Sequence, residues 1–362
     1  MNHRFLPPIL ILLFAQITLA TGPELVLTQE TESGNPRNSE GAFITLNDGR
    51  ILYVYTRFLG NHSGDGAQGY LASCVSSDYG LTWDENDQPL CPKEGKENDM
   101  SVSLLRLQDG RIALFYLVKN SIQDCRARMR VSSDEGKTWS DSIDCMPGEQ
   151  NYYVVNNDRV IQTQSGRLIM PAAGHMRDGK WHGAADIVCF LSDDAGKTWR
   201  KGKESLVGQR ENGTRFITQE PGVVELKDGR IMMWIRTDLG VQGVCHSSDE
   251  GETFTPIEPW NLRSPRSPAS IKRIPKTGDL LAIWNDSPTN QRSPLTSAIS
   301  KDEGQSWKFL NTLEANPQGW YCYTAIHFTG DHALLSYWDM ADKKIETKVL
   351  RAPIEWFYSS AK

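Results

Sequence analysis

One short pattern is written five times in this chain, and its spacing limits what the chain can fold into. It reads SSDYGLTW at 76–83, SSDEGKTW at 132–139, SDDAGKTW at 192–199, SSDEGETF at 247–254 and SKDEGQSW at 300–307. Every copy is Ser/Asp-rich, then Gly, Thr or Ser, and an aromatic, which is turn chemistry: a carboxylate that accepts backbone N–H groups, a glycine for a left-handed angle and an aromatic anchor. The Asp residues at 78, 134, 194, 249 and 302 lie 53 to 60 residues apart. A period of that size signals stacked supersecondary units. A second repeat falls between the copies: LNDGRILYVY (46–55), LQDGRIALFY (107–116), QSGRLIMP (164–171), LKDGRIMMWI (226–235), KTGDLLAIW (276–284) and TGDHALLSYW (329–338). Each is a tight turn followed by an apolar, β-rich run, the signature of a hairpin.

One unit is therefore about four strands, and six units suit an all-β, six-bladed β-propeller. No segment sustains helical periodicity, which disfavours a helical solenoid. The last unit lacks the Asp-type turn, so ELVLTQ (24–29) at the chain start is expected to supply its final strand and close the ring. The five repeated Asp residues are read as architectural, because a side chain with the same local role in every unit builds the fold. Chemistry is sought among the polar residues that do not repeat.

The N-terminus, MNHRFLPPILILLFAQITLA, has the basic start, short apolar stretch and small-residue ending of a secretory signal peptide over 1–20. The expectation is one propeller domain over 21–362, secreted or periplasmic, with no membrane span after cleavage. The alternative of an uncleaved anchor is disfavoured by the shortness of that stretch. A net charge of −6 with no basic, aromatic-interleaved run excludes a dedicated nucleic-acid binder. Seven cysteines permit disulfides in an exported chain, with Cys74/Cys91 and Cys125/Cys145 as sequence-near candidates and at least one thiol left over. Cys189 and Cys245 read as core residues. No CxxC or Cys/His ligand spacing occurs, so neither a metal nor another cofactor is expected. Asn61-His-Ser and Asn212-Gly-Thr match the glycosylation triplet.

The repeated turns and unit count resemble the exo-sialidase (neuraminidase) superfamily, whose propellers carry Asp-box turns. The sharper resemblance lies in QEPGVVELKDGRIMMWIRT (219–237), where Glu220 and Arg236 stand sixteen apart, as the family's Glu and Arg do. NDSPTNQRSPLTSAISKDEGQSW (285–307) is similar to the segment that holds a further arginine before the last Asp-box, which puts Arg292 there. WYCYTAI (320–326) resembles the segment that carries the nucleophile, which implies Tyr323, with Tyr321 as its rival. The front of the chain departs from the family: counting nine back from Asp48 lands on Ser39, whereas the chain offers Arg37 and adds Glu40. Asp65, in GNHSGDGAQGY (60–70), fits the acid/base position by location.

The resemblance implies a retaining exo-glycosidase that removes terminal sialic acid, or a related acidic sugar, from glycans. Arg37, Arg236 and Arg292 would bind the substrate carboxylate, since planar guanidinium groups pair with carboxylates bidentately. Tyr323 would attack, because a phenol avoids the repulsion an anionic nucleophile would meet. Glu220 would deprotonate it and Asp65 would serve as acid and then base. Two other readings stay open. A carboxylate pair drawn from Glu40, Asp65 and Asp99 would suit a different glycan, and a non-catalytic glycan-binding propeller would use the same cavity without turnover. Asn98-Asp99, Asn156-Asn157-Asp158-Arg159, His175, Trp181 and His182 are positioned like residues at the top of the blades.

Overall fold

The computed structural model describes residues 22–86, 88–340 and 345–359, and the expected signal peptide lies outside them. Twenty-five strands form five sheets around one axis, in a β-propeller. Three of the sheets begin with an innermost strand and step outward by antiparallel hairpins: Thr218–Glu225, Ile231–Thr237, Val241–Ser247 and Glu258–Arg263 are in that order. The eight-stranded sheet consists of two such antiparallel runs, beginning at Asn38–Thr45 and Asn98–Arg106. They are joined by one parallel pair, Gly69 with Asn98.

Strands rich in Val, Ile, Leu and Phe are buried on both faces here because each sheet is packed between two others. Ile169, Ile187 and Leu191 meet Val223, Ile231 and Met233 of the next sheet. Met232 and Trp234 meet Ile271 and Leu280, and Ile283 and Leu295 meet Ile326 and Leu335. The circle closes where Leu334 and Val349 pack on Phe43, Tyr53 and Tyr55. No single core has to grow with chain length, which is how so long a chain remains one packed body.

The chain start completes the last sheet. Glu24–Gln29 pairs antiparallel with Glu346–Pro353, so the final sheet contains both ends of the described chain. The repeated Asp residues bind their own turns. Asp134 accepts from the Thr138 backbone N–H at 2.9 Å and its hydroxyl at 2.6 Å, and Asp78, Asp194, Asp249 and Asp302 do the same with Thr82, Thr198, Thr253 and Ser306. The cysteine expectation is corrected: all seven are buried thiols. Cys74 packs with Phe43 and Tyr53 while Cys91 packs in a separate cluster with Val54 and Val102. Cys125 and Cys145 share a cluster without a bond between them.

The segment 156–159 ties the innermost strands together. The Asn157 amide donates to the carbonyls of Gly41 (2.8 Å) and Tyr323 (3.0 Å). Asp158 accepts from Lys272 (2.7 Å) and from the Ile326 N–H (2.9 Å), and Arg159 donates to Ala269 (2.7 Å). Three residues thus reach the innermost strands of three other sheets. Because Glu24–Gln29 supplies the closing edge, deleting residues 24–29 is expected to lower the melting temperature by at least ~5 °C. An unchanged thermal melt would show that the closure carries no stability.

Candidate active site

The innermost strands share a defect, and it builds the site. Each of four carries a β-bulge at its axial end, seen as a register shift between Ser39 and Ala42, Met100 and Ser103, Gln219 and Gly222, and Cys322 and Ala325. Within each bulge one residue is left-handed: Glu40 (φ 59), Ser101 (φ 60), Glu220 (φ 48) and Tyr323 (φ 58). None is glycine, so each costs about 1–2 kcal/mol of backbone strain. A bulge re-aims the side chain it carries. All four side chains line one cavity of about 450 Å3.

Tyr323 Oη donates to Glu220 Oε1 at 3.1 Å, and Arg236 donates to the other carboxylate oxygen, Oε2, at 2.6 Å. Burial raises the Glu220 pKa, but the charges of Arg236 and Arg292 outweigh it and hold the carboxyl below its ordinary range. The phenol goes the other way. Burial, then the neighbouring Glu220 charge, pushes the Tyr323 pKa well above its usual value. At neutral pH the pair is a phenol donating to a carboxylate.

Arg292 stands behind Tyr323, its guanidinium 5.8 Å from the tyrosine ring centre and 5.2 Å from that of Trp320. Its Nη1 donates to Cys322 Sγ at 2.9 Å. Burial raises that thiol to about 11, so Arg292 rests on a neutral partner and keeps its charge. The buried Nε atoms of Arg236 and Arg292 have no hydrogen-bond partner among the described residues. Arg236 lines the cavity, whereas Arg292, expected at the substrate, lies behind Tyr323 and outside the lining.

Arg37 is placed differently from the other two. It is 1% exposed and does not line the cavity. Its Nε donates to Ser39 (2.8 Å), Nη1 to Asp65 (2.7 Å) and to the Ser63 carbonyl (3.2 Å), and Nη2 to Glu40. Phe58 and Trp338 lie 4.3 and 4.6 Å from its guanidinium carbon. Arg37, expected at the substrate, here has its donors engaged by two carboxylates and bridges them. Glu40, expected at the substrate, does line the cavity, with its second oxygen accepting from Ser101. Asp65 sits at the rim, its side chain 55% exposed. Burial pushes Glu40 up, against the pull of Arg37, and its pKa is above the ordinary range. Desolvation also raises Asp65, but Arg37 wins there and holds it below its usual value.

Two other expectations are corrected. Asp99 accepts from the Glu94 and Gly95 backbone N–H groups at 2.9 and 2.8 Å, so it closes a loop and forms no pair with Glu40. Tyr321 is 1% exposed, packs with Tyr337 and lies away from the cavity lining. Of the rim residues, Asn156, His175 and Trp181 line the cavity, while His182 contributes its carbonyl to His175 Nδ1 at 2.8 Å.

Sequence reasoning missed Ser101, Lys119 and Tyr152 in the lining. For Ser101 a signal was present. Glu40, Ser101, Glu220 and Tyr323 stand eight residues before Asp48, Asp109, Asp228 and Asp331, the Asp of each hairpin turn (48 − 40, 109 − 101, 228 − 220, 331 − 323). The hairpin repeat is a ruler that marks the bulge. Lys119 and Tyr152 have no such marker.

A family profile described as a BNR repeat-like domain matches residues 92–335. The chain belongs to the BNR repeat-like family. The sialidase of Micromonospora viridifaciens is 29% identical to this BNR-repeat protein over 227 residues, which cover 55% of the chain and 32% of that enzyme. The sialidase of Clostridium perfringens is 28% identical over 245 residues, 60% of each protein. The chain thus spans about a third to three fifths of the length of these curated relatives. A mutant Trypanosoma rangeli sialidase of known structure is similar at a TM-score of 0.71 and 15% identity, over 93% of this chain and 59% of that one, which bears on the fold. The profile match begins beyond Arg37, Glu40 and Asp65.

Two carboxylates sharing one guanidinium are coupled. Replacing Glu40 leaves Arg37 to Asp65 alone and removes a neighbouring negative charge. Both changes favour the Asp65 anion, so Glu40→Gln is expected to lower the Asp65 pKa further. Carboxyl-carbon NMR titration checks this; an unchanged or higher value would mean that the two groups do not share the guanidinium.

Proposed function

We propose that this BNR-repeat protein is an exported retaining exo-glycosidase of sialidase type, acting on terminal sialic acid or a closely related acidic sugar. The observation that carries the reading is the contact of Tyr323 Oη with Glu220 Oε1 at 3.1 Å, with Arg236 on the other carboxylate oxygen. In this reading the architecture counts as six blades with Asp-box turns, the eight-stranded sheet contributing two, and residues 21–362 form one domain behind a cleaved leader.

The chemistry follows from the pair. The substrate carboxylate approaches Arg236, with the charge of Arg292 behind Tyr323. Tyr323 Oη attacks the anomeric carbon while its proton passes to Glu220, the activated-nucleophile arrangement. The bond to the leaving oxygen breaks as Asp65 protonates that oxygen. Water then attacks the tyrosyl glycoside. Asp65 takes the water's proton, and the departing phenolate recovers its own from Glu220. Two inversions give net retention. Arg37 holds Asp65 and Glu40 in place throughout.

The pH dependence follows from the two carboxyls. Glu220 must be ionised, so activity is lost as pH falls through its pKa. Asp65 must be protonated, so activity is lost as pH rises through its own. Both are held below the ordinary carboxyl range, which places the optimum below that range, in distinctly acid solution. Release of fluorophore from a 4-methylumbelliferyl sialoside tests the activity across about pH 2–8. Tyr323→Phe is expected to lower kcat by at least ~1,000-fold, and the sugar first released should be the retained anomer by proton NMR. No release by folded protein anywhere in that range would refute the sialoside reading.

One observation favours a second reading. Arg37 is engaged by Glu40 and Asp65, so the cavity holds an extra carboxylate with a raised pKa. A carboxylate pair acting on a different acidic glycan would use it. In a screen of uronate- and sulfate-bearing glycans, that reading expects turnover that Glu40→Gln abolishes and Tyr323→Phe spares.

A further inference from the structure

Besides its charged residues and Tyr323, the cavity is lined by three aromatic side chains, Tyr152, His175 and Trp181. His175 is 2% exposed and meets Tyr152 edge-on. Trp181 stands at the tip of the hairpin formed by Leu168–Arg177 and Lys180–Ser192, where Asp178 (φ 49) and Gly179 (φ 72) make the reversal. One indole face lies flat on the His175 ring, with centroids 4.8 Å apart and planes 1° apart. Its other face has no ring stacked on it among the described residues, and the residue is 46% exposed.

Ile122, in the turn between Ile112–Ser121 and Asp124–Ser132, lines the same cavity and is 55% exposed. Seven large hydrophobic residues are exposed among the described residues, and two of them belong to this one opening. Apolar surface left in water beside a ligand cavity marks where a ligand continues. Ile122 is three residues from Lys119, whose Nζ donates to the Asp65 carbonyl at 2.8 Å. Ile122 and Asp65, the group that would protonate the leaving oxygen, line the same cavity.

We propose that Trp181 and Ile122 form a subsite for the neutral pyranose to which the terminal acidic sugar is joined. The inference rests on the glycosidase reading above and adds the part of the substrate that leaves. One face of a pyranose ring presents C–H groups, and it stacks on an indole as any flat apolar body does. Neither Trp181 nor Ile122 carries a charge, so the occupant is uncharged. The bare indole face lies at the rim, outside the enclosed His175, so the ring it meets is the next unit of the glycan and not the sugar in the cavity.

The test uses the full chain carrying Tyr323→Phe, so that ligand binds without turnover. Calorimetry compares methyl α-sialoside with sialyllactose, which differ by the neutral sugars. Sialyllactose is expected to bind at least ~10-fold more tightly. Adding Trp181→Ala should collapse that ratio to within about twofold, and Trp181→Phe, which keeps a stacking ring, should restore most of it. Equal affinities in the parent, or a ratio that survives Trp181→Ala, overturns the subsite. If neither sialoside binds, the failure belongs to the sialoside reading. The subsite is then decided by saturation-transfer NMR with lactose. A lactose signal that disappears in Trp181→Ala upholds it, and the absence of any Trp181-dependent signal overturns it.

Discussion

A strand alternates its side chains, and that alternation is the constraint the site must break. A propeller needs both faces of every innermost strand for packing against neighbouring sheets, which leaves no side chain to point along the axis. A left-handed bulge supplies one. Glu40, Ser101, Glu220 and Tyr323 each take the strained conformation at the same place in their strands. Four such residues cost roughly 4–8 kcal/mol together. The strain persists because the sheets are locked on both sides by inter-sheet packing and at the axis by Asn157, Asp158 and Arg159. Backbone accuracy at the reacting groups is thus set by apolar contacts some distance away.

The second organising fact is the uneven compensation of charge. Arg37 has two carboxylate partners, Arg236 has one and Arg292 has a neutral thiol. A buried guanidinium with two anions is a structural clamp, since its attraction for a third anion is largely neutralised. A buried guanidinium against sulfur retains its field. The positive field is therefore strongest on the Arg292 and Tyr323 side and weakest near Glu40.

Much of this was legible in the sequence, for reasons that differ from residue to residue. The repeats specify hairpins because turn chemistry is local, and the closing role of ELVLTQ follows from a unit with a strand missing. Glu220 and Arg236 could be paired by spacing because they face each other in one hairpin, Gln219 opposite Arg236 in register. The role of Arg37 could not, because its partners come from a loop 28 residues on and from Trp338, on the opposite end of the chain. Asp99 misled for a related reason. Its neighbour Asn98 does point toward the site, donating to the Asp65 and Ala67 carbonyls, and strand alternation sends Asp99 the other way. Cysteine spacing carried no information about pairing, because sheets separate Cys74 from Cys91 whatever their distance in sequence.

The eight-residue ruler also separates what is fixed in this fold from what is free. Applied to Ser165 of the third turn it lands on Asn157; counted from Asp279 of the fifth turn, the equivalent of Asp331 in the sixth, it lands on Ile271, a core residue. The four addresses that hold Glu, Ser, Glu and Tyr are the bulge residues. Where the side chain reaches the cavity as a bulge residue, the backbone is left-handed at that address. In the third repeat the left-handed residue is Asp158, one position later (φ 57), and there the chain knits strands together instead. The Ala269 carbonyl accepts from Arg159 and Trp234, part of the same knitting. The left-handed residues thus serve two ends, aiming side chains into the cavity at four strands and joining strands at Asp158.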